Sequence, residues 1–266
     1  MRLFDTHAHL TDERFDPDRE ALIASFPEKN VRLVMDIACD VREAGETMAL
    51  LDRYPPIYAA VGMHPHIAAE TELCHLDGIK AFAAHEKVMA IGEIGLDYHY
   101  DFAPRDVQKK WFALQLELAQ ELNLPVCLHI REAFADCMDI LRAHKAKLKG
   151  VMHCYSGSLE TAYLCMDMGL FIAFGGAITF ENAKKLSAVA ARVPLERIVL
   201  ETDCPYLTPV PLRGRRNDPT LVVHTAEKLA ALQDRSLEEV AEVTFQNGLR
   251  LFEMKDSLYS TENSAK

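Results

Sequence analysis

Nowhere in the 266 residues does an uninterrupted apolar run approach the ~18 that a membrane-spanning helix requires, so no membrane protein is expected. The start, Met1-Arg2-Leu3-Phe4-Asp5, lacks the apolar core of a secretion signal, which predicts an unexported protein. Nor do the cysteines form a disulfide framework. The seven thiols, at positions 39, 74, 127, 137, 154, 165 and 204, are odd in number, have no CxxC spacing and lie mostly in apolar stretches. A reducing cytoplasm is the expected location. Positive charge is also short: the formal charge is -11, which argues against a broad electrostatic grip on nucleic acid phosphates. Room remains for a local basic patch at Arg213, Arg215 and Arg216, with Arg216 the candidate for substrate contact. A protein that brings its own divalent cations needs fewer Lys and Arg.

Linkers, low-complexity blocks and internal repeats at a solenoid period are absent too, so one domain is expected. Strand-like apolar runs recur near 2–7, 31–38, 57–62, 88–94, 125–129, 149–153, 170–175 and 197–202, separated by helical patterns. One of these patterns runs from Asp106 to Leu122, where Val107, Trp111, Leu114, Leu118 and Leu122 recur at the spacing of one helix face. A nucleotide-binding open sheet would carry GxGxxG after its first strand, and this chain reads Asp5-Thr6-His7-Ala8-His9 there. Eight alternating units in a chain close to the ~250 residues of such folds predict an α/β protein, a single (β/α)8 TIM barrel over residues 1–254. Residues 255–266 are polar and aperiodic and read as a C-terminal tail.

What the chain does hold is a series of metal-ligand types at strand ends: His7 and His9, then Glu93, His129, His153 and Asp203. Side chains two apart on a strand point the same way, so His7 and His9 offer two imidazoles to one ion. In a closed barrel of parallel strands, all carboxyl ends meet on one face, which would bring the whole set together with His64. For any one of these residues a hydrogen-bonded structural role serves as well. The set together points to metal, because polar side chains are costly on apolar strands.

Four imidazoles and two carboxylates suffice for two divalent cations, with Glu93 as the bridge. Such a pair activates water and neutralises charge as a bond to phosphorus or carbonyl carbon breaks. Asp203 is a candidate both to ligate and to take a proton from the water, and His64 to hydrogen-bond substrate or leaving group. Arg131 follows His129 by two and either grips a phosphate or pairs with a nearby acid. Ser156 and Gly157 are expected to open a helix whose free N–H groups suit an anion. Cys127, Cys154 and Cys204 read as packing residues, and histidines 66, 75, 85, 99, 144 and 224 as surface or structural. Imidazoles suit Zn²⁺ or Mn²⁺, while Mg²⁺ is the expected ion for activity.

The ordered segments Asp5-Thr6-His7-Ala8-His9-Leu10, Gly62-Met63-His64-Pro65, Ile91-Gly92-Glu93-Ile94-Gly95-Leu96-Asp97-Tyr98, Leu128-His129-Ile130-Arg131, His153-Cys154-Tyr155-Ser156-Gly157, Glu201-Thr202-Asp203-Cys204-Pro205-Tyr206-Leu207 and Arg213-Gly214-Arg215-Arg216-Asn217-Asp218-Pro219 together resemble the TatD family of metal-dependent deoxyribonucleases, from residue 3 to about 252. The resemblance implies a TIM barrel and divalent-metal-dependent phosphodiester hydrolysis, exonuclease-like on single-stranded or end-frayed DNA. It also implies ligands at His7, His9, Glu93, His129, His153 and Asp203, with His64 and Arg131 near the scissile phosphate. The protein is expected to act as a monomer. The alternative is an amidohydrolase-type enzyme for another ester, a lactone or an amide. Many such relatives bridge their metals with a carboxylated lysine from the fourth strand, where this chain has Glu93. Two departures, Cys204 where Ala or Ser is common and Asp218 where Glu is frequent, fall on the loop after the last strand; neither removes a ligand, and they leave room for a shift in substrate preference.

Overall fold

Eight parallel strands pair in sequence order, β1 (Leu3–Ala8), β2 (Val31–Ala38), β3 (Ile57–Val61), β4 (Val88–Asp97), β5 (Val126–Arg131), β6 (Gly150–Met152), β7 (Leu170–Phe174) and β8 (Ile198–Leu200). The computed structural model describes residues 1–144 and 148–256. Helices α1 (Arg19–Ser25), α2 (Val41–Arg53), α3 (Leu73–Phe82), α4 (Arg105–Leu122), α5 (Phe134–Ala143), α6 (Leu159–Asp167) and α7 (Lys184–Ala190) connect successive strands, and α8 (Val222–Gln233) and α9 (Leu237–Leu251) follow the last. Each of the eight expected strands is present, and the α/β barrel is closed across its seam by hydrogen bonds beyond β8. Asp203 N–H donates to the His7 carbonyl at 2.9 Å, His9 N–H donates to the Cys204 carbonyl at 2.9 Å, and Ala8 bridges Cys204 in parallel. Buried Asp5 reinforces the seam by accepting from both the backbone N–H and the hydroxyl of Thr202, at 2.8 and 2.6 Å.

Two apolar layers hold the barrel. The outer layer lies between strands and helices. The inner layer gathers one side-chain face of the strands, with Phe4, Leu33, Met35, Ala60, Ala90, Cys127, Val151, Ala173 and Val199, against Phe245, Leu249 and Phe252 from α9 and its end. Helix α9 thus plugs the amino-terminal end of the barrel, leaving the carboxyl-terminal end open. Following the inner face upward by twos from Cys127, Val151 and Val199 leads to His129, His153 and, through Glu201, to Asp203. Phe4 and Ala90 have the wrong parity for His7 and Glu93, and in both strands the pairing register shifts in between, at Asp5/Ala8 and at Ile91/Ile94. These shifts turn His7 and Glu93 to the barrel axis. Close strand approach at β4 requires glycine: a Cβ on Gly95, at φ 147°, would stand 2.0 Å from the His129 carbonyl oxygen.

The expected tail, 255–266, lies outside the described residues from 257 on, and its Asp256 pairs with Arg2 at 2.6 Å. No described helix is long and apolar enough to cross a membrane. All seven cysteines are free.

Candidate metal centre

Glu93 stands at the centre of the open end, and its two oxygens face different groups. Oε2 lies 3.3 Å from His7 Nε2 and 4.0 Å from His9 Nε2. Oε1 lies 2.8 Å from His129 Nδ1, 3.3 Å from His153 Nε2 and 3.7 Å from His64 Nε2. Asp203 completes the first group, 3.5 Å from His9 Nε2 and 4.0 Å from His7 Nε2. His7 and His153 stack with ring centroids 3.5 Å apart. The structure therefore brings all six expected ligands and His64 to one mouth. Their donor atoms form overlapping triads, among them His7–His9–Glu93, Glu93–His129–His153 and His7–His153–Asp203.

The outward ring nitrogens are already committed. His9 Nδ1 donates to the Ile37 carbonyl at 3.1 Å, His129 Nε2 lies 2.9 Å from Asp97, and His153 Nδ1 lies 3.1 Å from Glu201, whose other oxygen accepts from Cys154 N–H at 2.7 Å. Such bonds fix the tautomer and leave the inward nitrogen with a free lone pair. His7 differs, for both its ring nitrogens are buried and hydrogen-bond to nothing among the described residues. An orphaned imidazole beside two carboxylates costs free energy unless something else is bound there, and a cation answers that need. The donor set fits one or two divalent ions.

Protonation states agree with this for the carboxylates and His7; against burial, the neighbouring carboxylates raise His9, His129 and His153, the last to about 9, so a cation binding there displaces their protons. Burial alone would push the Glu93 carboxyl up, but the surrounding His153, His7 and His64 and the His129 hydrogen bond hold it well below the usual range. Asp203 is likewise lowered, since the bond to His9 and the nearby His153 and His7 outweigh its burial. Both are carboxylates at neutral pH. Burial, with His153 beside it, lowers His7, which stays neutral and able to ligate. Burial lowers His64 far more, and its Nδ1 accepts from His66 N–H at 3.2 Å, so its proton sits on Nε2, facing the mouth.

Around this centre the cleft is lined by Arg131, Ser156, Tyr100, Tyr206 and His66. The Arg131 guanidinium meets no carboxylate among the described residues and lies over the Tyr100 ring, 4.9 Å from its centroid. Ser156 faces the cleft but does not begin a helix. α6 starts at Leu159 with Ser158 as its cap, because the Ser158 hydroxyl is the one that reaches the Thr161 N–H. Arg216, the expected substrate contact, makes instead a two-point ion pair to Asp18 at 2.7 and 2.8 Å and lies over Phe15. The two departures on the last loop also miss the cleft. Cys204 is wholly buried and Asp218 caps the turn at Pro219–Leu221.

Sequence reasoning passed over three residues. Asp97 is buried at the end of β4 and accepts from His129 and from His66, each at 2.9 Å. Glu201 orients His153, and His66, expected as surface or structural, lines the cleft. Asp97 closes β4 and Glu201 directly follows β8, both inside segments that carry expected ligands, which was the available signal. Cys39 also reaches Glu93 Oε2, at 3.8 Å, and burial pushes its thiol up to about 12, so it stays protonated.

The sequence profile described as TatD related DNase matches residues 4–253. YabD of Bacillus subtilis, described as an uncharacterized metal-dependent hydrolase, is 45% identical over 94% of this chain and 98% of its own. The 3'-5' ssDNA/RNA exonuclease TatD of Salmonella typhimurium is 31% identical over 95% and 99%. Among solved structures, the TatD homolog YJJV of Escherichia coli superposes with a TM-score of 0.90 at 31% identity, covering 96% of this chain and 99% of that one. A closed barrel with its polar donors gathered at the carboxyl-terminal mouth, and matches running almost end to end, make this chain a member of the TatD family of metal-dependent hydrolases.

Proposed function

We propose that the protein is a phosphodiesterase that removes nucleotides from an end of single-stranded or frayed DNA with the help of two divalent cations. The observation that carries this reading is the Glu93 carboxylate, one oxygen turned to His7 and His9 and the other to His129 and His153. His7, His9, Glu93 and Asp203 would hold one ion, and Glu93, His129 and His153 the other. When bound, the pair supplies Lewis acidity, making water acidic enough to attack near neutral pH and drawing charge from a scissile phosphodiester. Mg²⁺ is proposed as the working ion, with Mn²⁺ or Zn²⁺ accepted by the same imidazoles.

The chain's own groups do the rest. Asp203, a carboxylate with its side chain open to the cleft, takes the proton from the attacking water. His64 Nε2–H donates to a substrate oxygen, and Arg131 and Ser156 face the cleft where a phosphate would be gripped. The DNA reading is supported by the Salmonella relative, named as an exonuclease of single-stranded DNA and RNA. Seven free thiols suit a reducing cytoplasm.

Asp203→Asn keeps the side-chain shape but removes the proton acceptor. Metal-stimulated nucleotide release from single-stranded DNA is expected to fall by about 10²–10⁴-fold. Glu93→Ala should abolish release and reduce the bound metal measured by mass spectrometry. Undiminished release by either purified variant overturns the proposal.

A further inference from the structure

Four large aromatic side chains stand exposed among the described residues, Tyr100, Phe102, Tyr163 and Tyr206, and all but Tyr163 surround one mouth. Single exposed rings are ordinary, whereas rings gathered into one patch mark a binding surface. Tyr100 and Phe102, 48% and 65% exposed, stack on each other with centroids 5.3 Å apart and planes 23° apart. His66 meets both edge-on, at 5.2 and 4.9 Å. The pair is fixed to the metal centre by Asp97. Its Oδ1 accepts from Tyr100 N–H at 2.9 Å, while its Oδ2 holds His129 and His66. One buried carboxylate therefore sets both a candidate ligand and the backbone of the ring beside it. Tyr206 has Arg14 over its face at 4.4 Å much as Tyr100 has Arg131, but it lacks a stacked aromatic neighbour like Phe102 among the described residues.

Charge divides the mouth in two. On the Tyr100 side Arg131 lies over the ring, and the nearby acids are answered, Glu132 by His99 and Asp101 by Arg105. Across the centre, the loop after β1 and the start of α2 line the cleft with six acids, Asp12, Glu13, Asp16, Asp40, Glu43 and Glu46. Among the described residues only three arginines pair with them, Arg14 with Asp12, Arg19 with Asp16 and Arg42 with Glu43 and Glu46, so this rim keeps a negative excess. A polyanion is attracted on one side and repelled on the other.

We infer that Tyr100 and Phe102 form a base-stacking platform, with Arg131 beside it for the backbone, on which the single strand adjoining the scissile phosphate lies. The acidic rim opposite denies the strand a continuous path through the mouth, so that only an end is accepted. This rests on the phosphodiesterase reading above and adds the side of the mouth and the residues that hold the bases. Aromatic faces beside guanidinium groups recognise single strands with little regard to sequence.

The test compares the metal-loaded wild type with Tyr100→Ala/Phe102→Ala, Tyr100→Trp/Phe102→Trp and, as a surface control, Tyr163→Ala. Substrates are an oligothymidylate and methyl p-nitrophenyl phosphate, a diester without a base. Because both rings are exposed, their truncation leaves the core intact. For the oligothymidylate the double alanine variant is expected to raise KM about tenfold or more, with the smaller effect on kcat, and the tryptophan pair to restore it. The loss should fall on the oligonucleotide far more than on the small diester, and Tyr163→Ala should match the wild type. A double alanine KM within twofold of a wild type that digests the oligonucleotide overturns the platform and leaves the phosphodiesterase reading standing. A metal-loaded wild type that neither binds nor digests the oligonucleotide overturns both.

Discussion

A histidine makes a good ligand when its second nitrogen is already engaged, and each ring at this mouth except His7 illustrates how the chain arranges that. Glu201 is the clearest instance: fully buried, it uses one oxygen for His153 and the other for the Cys154 amide. Replacing it by Gln keeps the volume but sets an NH2 group against one of those two donors, so either His153 loses its orienting acceptor or the amide is stranded. Such outer partners typically contribute 10–100-fold to metal affinity. Glu201→Gln should therefore weaken metal binding at His153 by about that factor, read by competition with a chromophoric chelator, with activity recovering as metal is raised. Unchanged metal affinity would remove Glu201 from this role. The ligand types themselves were legible because His, Glu and Asp are conspicuous at the ends of apolar strands. Their partners were not, because nothing in the sequence tells which ring a carboxylate such as Asp97 or Glu201 will face.

Helix α4 shows the same limit at the scale of an element. Its extent, Arg105–Leu122, falls where the apolar spacing places it, but the buried face is rotated from the expected one. Gln108, Phe112, Gln115, Leu116 and Ala119 join Trp111 and Leu118 inside, while Val107, Leu114 and Leu122 are only partly buried. The reason is polar. Gln115 accepts from Met63 N–H at 2.7 Å and donates to the Met63 carbonyl at 3.0 Å, and Gln108, two turns earlier on the same face, does the same for Asp97 at 2.8 and 3.1 Å. An apolar count passes over such residues, although they tie the helix to the segments carrying His64 and Asp97. All eight strands were readable because each contains a short run rich in apolar residues between helical patterns. The register shifts in β1 and β4 were not, since a bulge depends on the pairing partner. Gln115→Leu is close in size and leaves both Met63 backbone groups buried without partners, so it should lower unfolding free energy by roughly 2–4 kcal/mol. Urea titration measures this, and a loss below 1 kcal/mol would show that water or a shifted backbone satisfies Met63.

At the scale of the whole molecule the two ends of the barrel are built differently. Apolar side chains of α9 fill one end, and the other concentrates charge and imidazole. The donors at the polar end are set by contacts that belong to the protein: the seam bonds between Asp203, His7, His9 and Cys204, and the outer bonds from Ile37, Asp97 and Glu201. Metal is therefore not needed to assemble the site, unlike in small domains whose folding depends on it. Removing it does leave the His7 nitrogens without partners and Glu93 among imidazoles alone. Ions present at a hundredfold excess over their dissociation constant add about 2.7 kcal/mol per site to the folded state. In a chain of this length that corresponds to a Tm shift of roughly 5 °C per ion. The expected outcome of exhaustive chelation is a protein whose far-ultraviolet circular dichroism at 25 °C is preserved and whose Tm is lower by roughly 5–10 °C, recovered when Mn²⁺ or Zn²⁺ is returned. Collapse of the dichroism at 25 °C on chelation would show that the cations build the mouth. An unmoved Tm on readdition would show that these donors hold none.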